Sequence, residues 1–344
     1  MRFGSFVFPV SQDPINDHRI IDETLEEIIL CDELGFDTIW LTEHHFDGAT
    51  AYVDPVVFAA AVAAKTKRVR IGFAVVEMAL HHPVRLAAQT ALLDNLSNGR
   101  IIVGTGRGSA FNEYEYIGFG VPMAEAANSL KEAEALILEA WQGNPVDFKG
   151  KYWEVSFPGL RPLPIQKPNP PLIRACLGVE STRAMAKMRR PVLIGAQDNE
   201  SIAERLNVYR DEVIATGATD EELESLLDQI WVSKNVLVGD SESETIQIAR
   251  DGLETEQSHF WKARDLFNPP DRAIKRQPNS NNFDSTFIAG TPDQVSGYIH
   301  ELEEIGVRNL MMKLNTGEMN RECVRRSIGL FTHEIMPQFN KKKI

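Results

Sequence analysis

Short apolar runs alternate with amphipathic stretches from one end of the chain to the other. Arg2–Phe8, rich in Phe and Val, predicts a first strand. Ile20–Leu34 then places Ile21, Leu25, Ile28 and Ile29 on one helical face, with Glu23, Glu26 and Glu27 mostly outward. Gly35 ends that helix, and Phe36–Leu41 reads as the second strand. Pro55 opens a helix through Ala64, and Val69–Val76 is a third strand. Pro83 opens the next helix, Asn98-Gly99 stops it, and Ile101–Thr105 is a fourth strand.

The second half continues the alternation less regularly. A helix over Ala124–Trp141 precedes a predicted hairpin insertion, residues 143–171, built from Val146–Phe148 and Tyr152–Val155. Strands are predicted at Leu172–Leu177, Val192–Gly195, Trp231–Val238 and Arg308–Leu314, with helices at Ser181–Met188, Ile202–Thr216, Glu242–Leu253 and Arg321–Phe331. Thr255–Ser285 has no clear period and reads as a long loop, a length that usually means function or disorder. Thr291 caps a helix opened by Pro292. Eight apolar strands interleaved with helices imply parallel pairing with right-handed crossovers, buried on both faces. The expected fold is a single α/β domain over 1–344, a (β/α)₈ TIM barrel with insertions after strands four and seven.

Composition narrows the partners. The 344 residues carry a formal net charge of −13, and the one basic run is Lys341–Lys343, which reads as a solvated tail. Polyanions need clustered Lys and Arg, so nucleic acid is not expected as a partner. No apolar stretch approaches the roughly 20 residues of a membrane span, and the N-terminus lacks a leader pattern. Cys31, Cys176 and Cys323 form neither a metal pattern nor a disulfide framework, which suits a reducing cytoplasm.

Barrel chemistry sits at the C-terminal ends of the strands. After strand two come Thr42-Glu43-His44-His45-Phe46, where adjacent histidines point apart and make a poor metal pair but a plausible acid/base or donor. No metal site is expected. Strand three carries Ala74, small enough for a flat ring to approach, and its loop holds His81-His82-Pro83, with His82 biased toward extended backbone. After strand four, Gly104-Thr105-Gly106-Arg107-Gly108 offers close backbone approach and a permanent positive charge, without the spacing of a P-loop or dinucleotide fingerprint. After strand five, Gly178 with Ser181 opens a helix, which reads equally as a phosphate cradle or a plain N-cap.

The stretches Leu41–Phe46, His81–Arg100, Val103–Gly108 and Gly290–Val295 resemble the bacterial luciferase-like flavin-dependent monooxygenase family, in its order and spacing. The resemblance implies reduced FMN, supplied by a separate flavin reductase, reacting with O₂ through a C4a-hydroperoxide to oxygenate a small organic substrate such as an aldehyde or ketone. It puts His44 at the reactive edge of the flavin and a non-prolyl cis peptide at Ala74-Val75 under the ring. Arg107, Gly178 and Ser181 would hold the phosphate end, and Gly106 stands where luciferase has a reactive cysteine. A second phosphate-binding arginine is not evident around Ala127-Asn128. Residues 255–285 match a mobile lid, with His45, His82, Lys275 and Arg276 as substrate or lid contacts. A homodimer through helices near strands two and three, where Val56–Ala64 is apolar, is also implied. The alternatives are an F420-dependent hydride-transferring oxidoreductase on the same barrel and a non-catalytic flavin-binding protein.

Overall fold

The structure, a computed structural model, describes residues 1–270 and 283–339. Its strands are β1 (Arg2–Val7), β2 (Thr38–Leu41), β3 (Arg70–Phe73), β4 (Val76–Glu77), β5 (Ile101–Gly106), β6 (Val146–Lys149), β7 (Glu154–Phe157), β8 (Leu172–Cys176), β9 (Val192–Ile194), β10 (Trp231–Val238), β11 (Phe287–Gly290) and β12 (Asn309–Lys313). Parallel pairing runs β1-β2-β3-β5-β8-β9-β10-β12 and returns from β12 to β1, closing an eight-stranded barrel. Helices alternate with these strands, so the expected (β/α)₈ architecture is the one observed.

Local chemistry sets the element ends. Gly35, at φ 91°, terminates helix Asp17–Leu34 in the left-handed region. Asp54 accepts hydrogen bonds from the N–H groups of Val56 and Val57, capping the helix that Pro55 opens. Thr291 and Gln294 form a capping box at the start of Pro292–Glu304. The barrel interior is filled by large rings: Trp40 on β2 meets Trp231 on β10 edge-on, centroids 5.2 Å apart. Glycines on the flanking strands make the room. A Cβ on Gly72 would lie 2.4 Å from the Trp40 ring, and one on Gly4 would lie 2.9 Å from its indole nitrogen. Ile102, Ile173, Leu193 and Met311 complete this plug, with partly buried Phe6, Ala74, Val75 and Ala175 packed against it.

Four departures from the sequence reading matter for the site. The third strand breaks between β3 and β4, at the non-prolyl cis Ala74–Val75 peptide that the resemblance implies. Helix Glu242–Phe267 does not stop at Leu253 but runs for 26 residues, so the first part of the expected loop is helical. Its amphipathic signal is broken because Glu256 and Arg264 turn inward to polar partners. A further strand, β11, pairs with the upper half of β10; it is only four residues long and gives little periodic signal. Helices Glu113–Phe119 and Asp220–Leu227 were likewise not anticipated. The hairpin β6–β7 forms between β5 and β8. Among the described residues no helix is long and apolar enough to cross a membrane.

Candidate active site

The end of β2 delivers Glu43, His44 and His45 to the barrel mouth, and each is used differently. The Glu43 carboxylate is buried; its Oε2 accepts the Glu77 N–H at 2.7 Å, and its Oε1 lies 2.9 Å from His45 Nε2 and 2.8 Å from His81 Nε2. Burial opposes its charge, but the two imidazoles and the amide outweigh that cost and hold its pKa below the usual range. His81 is raised in turn, because its bond to Glu43 outweighs its own desolvation. His45 is thus part of a buried network, with its ring also edge-on to Phe119 at 4.7 Å.

His44 is placed for chemistry. Its Nδ1 lies 3.2 Å from Glu115 Oε1, which also accepts the His45 backbone N–H at 3.0 Å. The imidazole, Phe8 and Phe260 form a triangle of mutually packed rings, with His44 at centroid distances of 5.4 and 5.5 Å from the two phenyl rings. Burial disfavours its charge, but the Glu115 hydrogen bond and the charges of Glu115, Glu77 and Asp47 push its pKa up to about 9. Near neutrality it is therefore an imidazolium with Nδ1–H committed to Glu115.

The extension of helix Glu242–Phe267 crosses the mouth. Glu256 pairs with Lys313 at the end of β12, and the Lys313 ammonium sits 4.2 Å over the Phe8 ring. One turn on, Phe260 covers His44 and Phe8. A further turn on, Arg264 Nε donates to Asn112 Oδ1 at 2.9 Å, and Asn268 then donates to the Phe111 carbonyl at 2.8 Å. The helix is fastened at both sides of the mouth, with His44 beneath it.

The other side of the mouth is apolar and open. Ala74, Val75 and Ala175 are partly exposed above the tryptophan plug. Gly106 has no space for a side chain, since a Cβ there would lie 2.5 Å from Val75 Cγ2. Arg107 follows directly, its carbonyl accepting the Tyr116 hydroxyl at 3.0 Å, and its guanidinium forms no ion pair among the described residues. Register Thr105↔Arg174 brings the end of β5 beside the end of β8, the strand that leads to Gly178. Gly178 caps helix Val179–Lys187; Ser181 Oγ donates to its carbonyl at 2.8 Å, and a Cβ on Gly178 would meet nothing. Arg205 braces this turn by donating to the carbonyls of Cys176 and Leu177 at 3.0 and 2.5 Å.

His82 has a different setting from the one expected: it precedes helix Pro83–Leu96 and packs edge-on to Trp153 of the hairpin, at 4.9 Å. Its neighbour His81 is the one that joins the Glu43 network. Lys275 and Arg276 lie outside the described residues. Sequence reasoning missed Glu43, Glu77, His81 and Glu115 as partners of the histidines. The signal available was the pair of carboxylates, Glu43 and Glu77, standing at strand ends where solvated residues are ordinary.

An eight-stranded barrel whose mouth carries these groups defines a class, and the comparisons agree with it. A profile described as luciferase-like monooxygenase matches residues 1–309, and the chain belongs to that family. The oxygenase component of the flavin-dependent trigonelline monooxygenase of Acinetobacter baylyi is 26% identical, covering 100% of this chain and 97% of the relative. An F420-dependent glucose-6-phosphate dehydrogenase of Microbacterium testaceum is 27% identical, over 93% of this chain and 94% of its own. Among solved structures, the oxygenating constituent of 3,6-diketocamphane monooxygenase from Pseudomonas putida, a type II Baeyer–Villiger enzyme in complex with FMN, superposes with a TM-score of 0.81. It is 19% identical, covering 100% of this chain and 99% of that one.

Proposed function

We propose that the protein is the oxygenase of a two-component, FMN-dependent monooxygenase that inserts one oxygen atom into a small apolar organic molecule. The observation that carries this reading is His44, held as a charged donor by Glu115 under an aromatic cover, beside an apolar floor of Ala74, Val75 and Ala175. The residues present suit FMN. The floor offers a flat ring a surface without side-chain obstruction, while Arg107 and the helix N-terminus at Gly178–Ser181 offer its phosphate a cation and backbone donors. When bound and reduced, the flavin supplies two electrons to O₂, so that substrate, O₂ and FMNH₂ give oxygenated substrate, water and FMN.

The chain's own residues bind, cover and protonate. Arg107 neutralises the phosphate, and Gly178 allows its close approach. His44 presents a proton at the mouth, with its ring fixed by Glu115 through Nδ1 and by edge-on packing against the adjoining rings of Phe8 and Phe260. Phe260 and the helix that carries it restrict water at this proton, leaving the His44 side chain 20% exposed. A flavin reductase is the partner that fits, because the oxygenase component of the trigonelline enzyme spans the whole of this chain. A homodimer through helices Pro55–Lys65 and Pro83–Leu96 is part of the same reading; Val57, Leu92 and Leu96 on them are exposed, and sedimentation tests it.

Stopped-flow mixing of the reduced-FMN complex with oxygenated buffer tests the oxygenase. Slow reoxidation of bound flavin, accelerated by substrate, is expected; reoxidation as fast as that of FMNH₂ in buffer overturns the reading. The F420-dependent relative supports a second reading, hydride transfer without oxygen. Tight binding of F420 with no affinity for FMN would establish it instead.

A further inference from the structure

We infer that Glu77 carries a proton which it shares with Glu115, and that this makes Glu77 a positioning residue fixing His44 as an imidazolium. Glu77 and Glu115 are 2% and 0% exposed, and one oxygen of each, Oε2, is buried beyond reach of any N–H or O–H donor among the described residues. One ligating atom from each of His44, Glu77 and Glu115 falls within 4.8 Å of the others. Two ionised carboxylates in that space repel each other strongly, with little water to screen them. Protonating one of them removes the repulsion and creates the donor that both orphan oxygens lack.

The surroundings decide which one holds the proton. Glu115 already accepts from the His45 amide and faces His44 Nδ1, so its charge is compensated. Glu77 has no such partner. Glu43, across from it, is itself anionic and committed to His45 and His81; Tyr116 gives its hydroxyl hydrogen to the Arg107 carbonyl. Asp47 faces His44 but is bonded to Ala49 and Thr50. From the crossing helix, Arg264 acts on Glu115 from a distance while its Nε serves Asn112, and Lys313 is paired with Glu256. Burial first, and Glu115 second, push the Glu77 carboxyl well above the usual range. Gly108 shapes the pocket: a Cβ there would lie 3.1 Å from Glu77 Oε2 and 2.5 Å from Tyr116 Oη.

A neutral Glu77 donating to Glu115 keeps that carboxylate ionised and aimed at His44. It is the buried-pair logic of carboxyls that share one proton, here turned to holding an imidazole. The charge state rests on the burial and spacing of the two carboxyls; the use of His44 as the proton source in oxygen chemistry rests on the reading given above.

The test uses the full chain without flavin. Histidine-labelled protein is titrated by NMR, with His44 assigned from a His44→Gln variant, and infrared spectra monitor the C=O stretch of a protonated carboxyl. Glu77→Gln retains a neutral donor, and Glu77→Met removes it. The expected result is a His44 titration unchanged in Glu77→Gln and lowered by about one pH unit, roughly tenfold in proton affinity, in Glu77→Met. Difference spectra against the parent chain are expected to show the loss of one carboxyl band in both. If Glu77→Gln lowers His44 as far as Glu77→Met, Glu77 was an anion and the proposal falls. Absence of a lost carboxyl band in the difference spectrum between the parent chain and Glu77→Gln overturns it; the difference removes the contribution of Glu27, which burial pushes up to about 7 and which both proteins share. If Glu77→Met does not fold, the Glu77→Gln titration and its infrared band still decide the matter. Failure on any of these counts leaves the flavin reading untouched, because no flavin is present.

Discussion

Glu115 Oε1 stands 3.2 Å from His44 Nδ1 and 3.0 Å from the backbone nitrogen of His45, so one carboxylate oxygen fixes both the ring and the chain that bears it. Glu115 comes from helix Glu113–Phe119, which follows β5, whereas the histidines follow β2. The contact therefore spans the mouth and orients a proton donor from outside its own loop. Second contacts of this kind commonly decide the tautomer and charge of a working histidine.

That contact predicts a pH dependence. His44 has its pKa raised from 6.5 to about 9 in the folded chain. Its contribution is fully present below the unfolded value and is lost as pH rises through the folded one. Stability is expected to fall between about pH 6.5 and 9, by on the order of 3 kcal/mol. Urea unfolding at a series of pH values measures this. Glu115→Gln is expected to reduce the slope, leaving the parts that His81, raised by Glu43, and the buried carboxyls Glu27 and Glu77, raised by burial, contribute. An unchanged slope in Glu115→Gln would show that the pair does not hold His44 charged.

Lys313 and Glu256 fasten the crossing helix to the barrel wall, and both are largely buried. Lys313→Met leaves Glu256 without its partner and is expected to destabilise by about 3–5 kcal/mol. Pairing it with Glu256→Met is expected to recover much of that loss, because the uncompensated charge is gone. Hydrogen exchange localises the effect: amides of residues 256–267 should lose protection in the single variant before the barrel strands do. Uniform loss across the barrel would mean the pair supports the core rather than the cover.

The barrel was legible because parallel strands buried on both faces read as continuous apolar runs, and Val69–Val76 and Ile101–Thr105 are of that kind. The crossing helix was not, because the face it turns to the mouth mixes Glu256, Phe260 and Arg264. An inward polar residue is indistinguishable in sequence from a solvated one until its partner is known. The same holds for the site. His44, Arg107, Gly178 and Ser181 stand out through residue type and position after strands. Glu77 and Glu115 acquire their meaning only from burial beside His44.

Arg107 is expected to act on the phosphate and on nothing else. Its guanidinium has no ion pair among the described residues to lose, so Arg107→Ala should leave thermal stability within about 0.5 kcal/mol. The Kd for FMN should rise about 10- to 100-fold, the worth of a charge-assisted hydrogen bond, while riboflavin binding stays unchanged. Flavin fluorescence titrations with both ligands make the comparison. Equal weakening of both would place Arg107 against the ring instead.

Gly106 and Val75 are fitted to each other, and the fit leaves no space for a side chain at position 106. A Cβ at 106 would come within 2.5 Å of Val75 Cγ2 and 3.3 Å of Val75 Cβ. Gly106 is buried on β5, and Val75, though partly exposed, packs against the tryptophan plug. Gly106→Cys is therefore expected to destabilise by about 1–3 kcal/mol through overpacking. Val75→Ala removes both γ-carbons and opens space on the same side, so Gly106→Cys/Val75→Ala should be more stable than Gly106→Cys alone. The two substitutions should show a coupling of about 1 kcal/mol or more in a double-mutant cycle. Additive costs would mean that the strand shifts to accommodate the new side chain and that Val75 is not what excludes it.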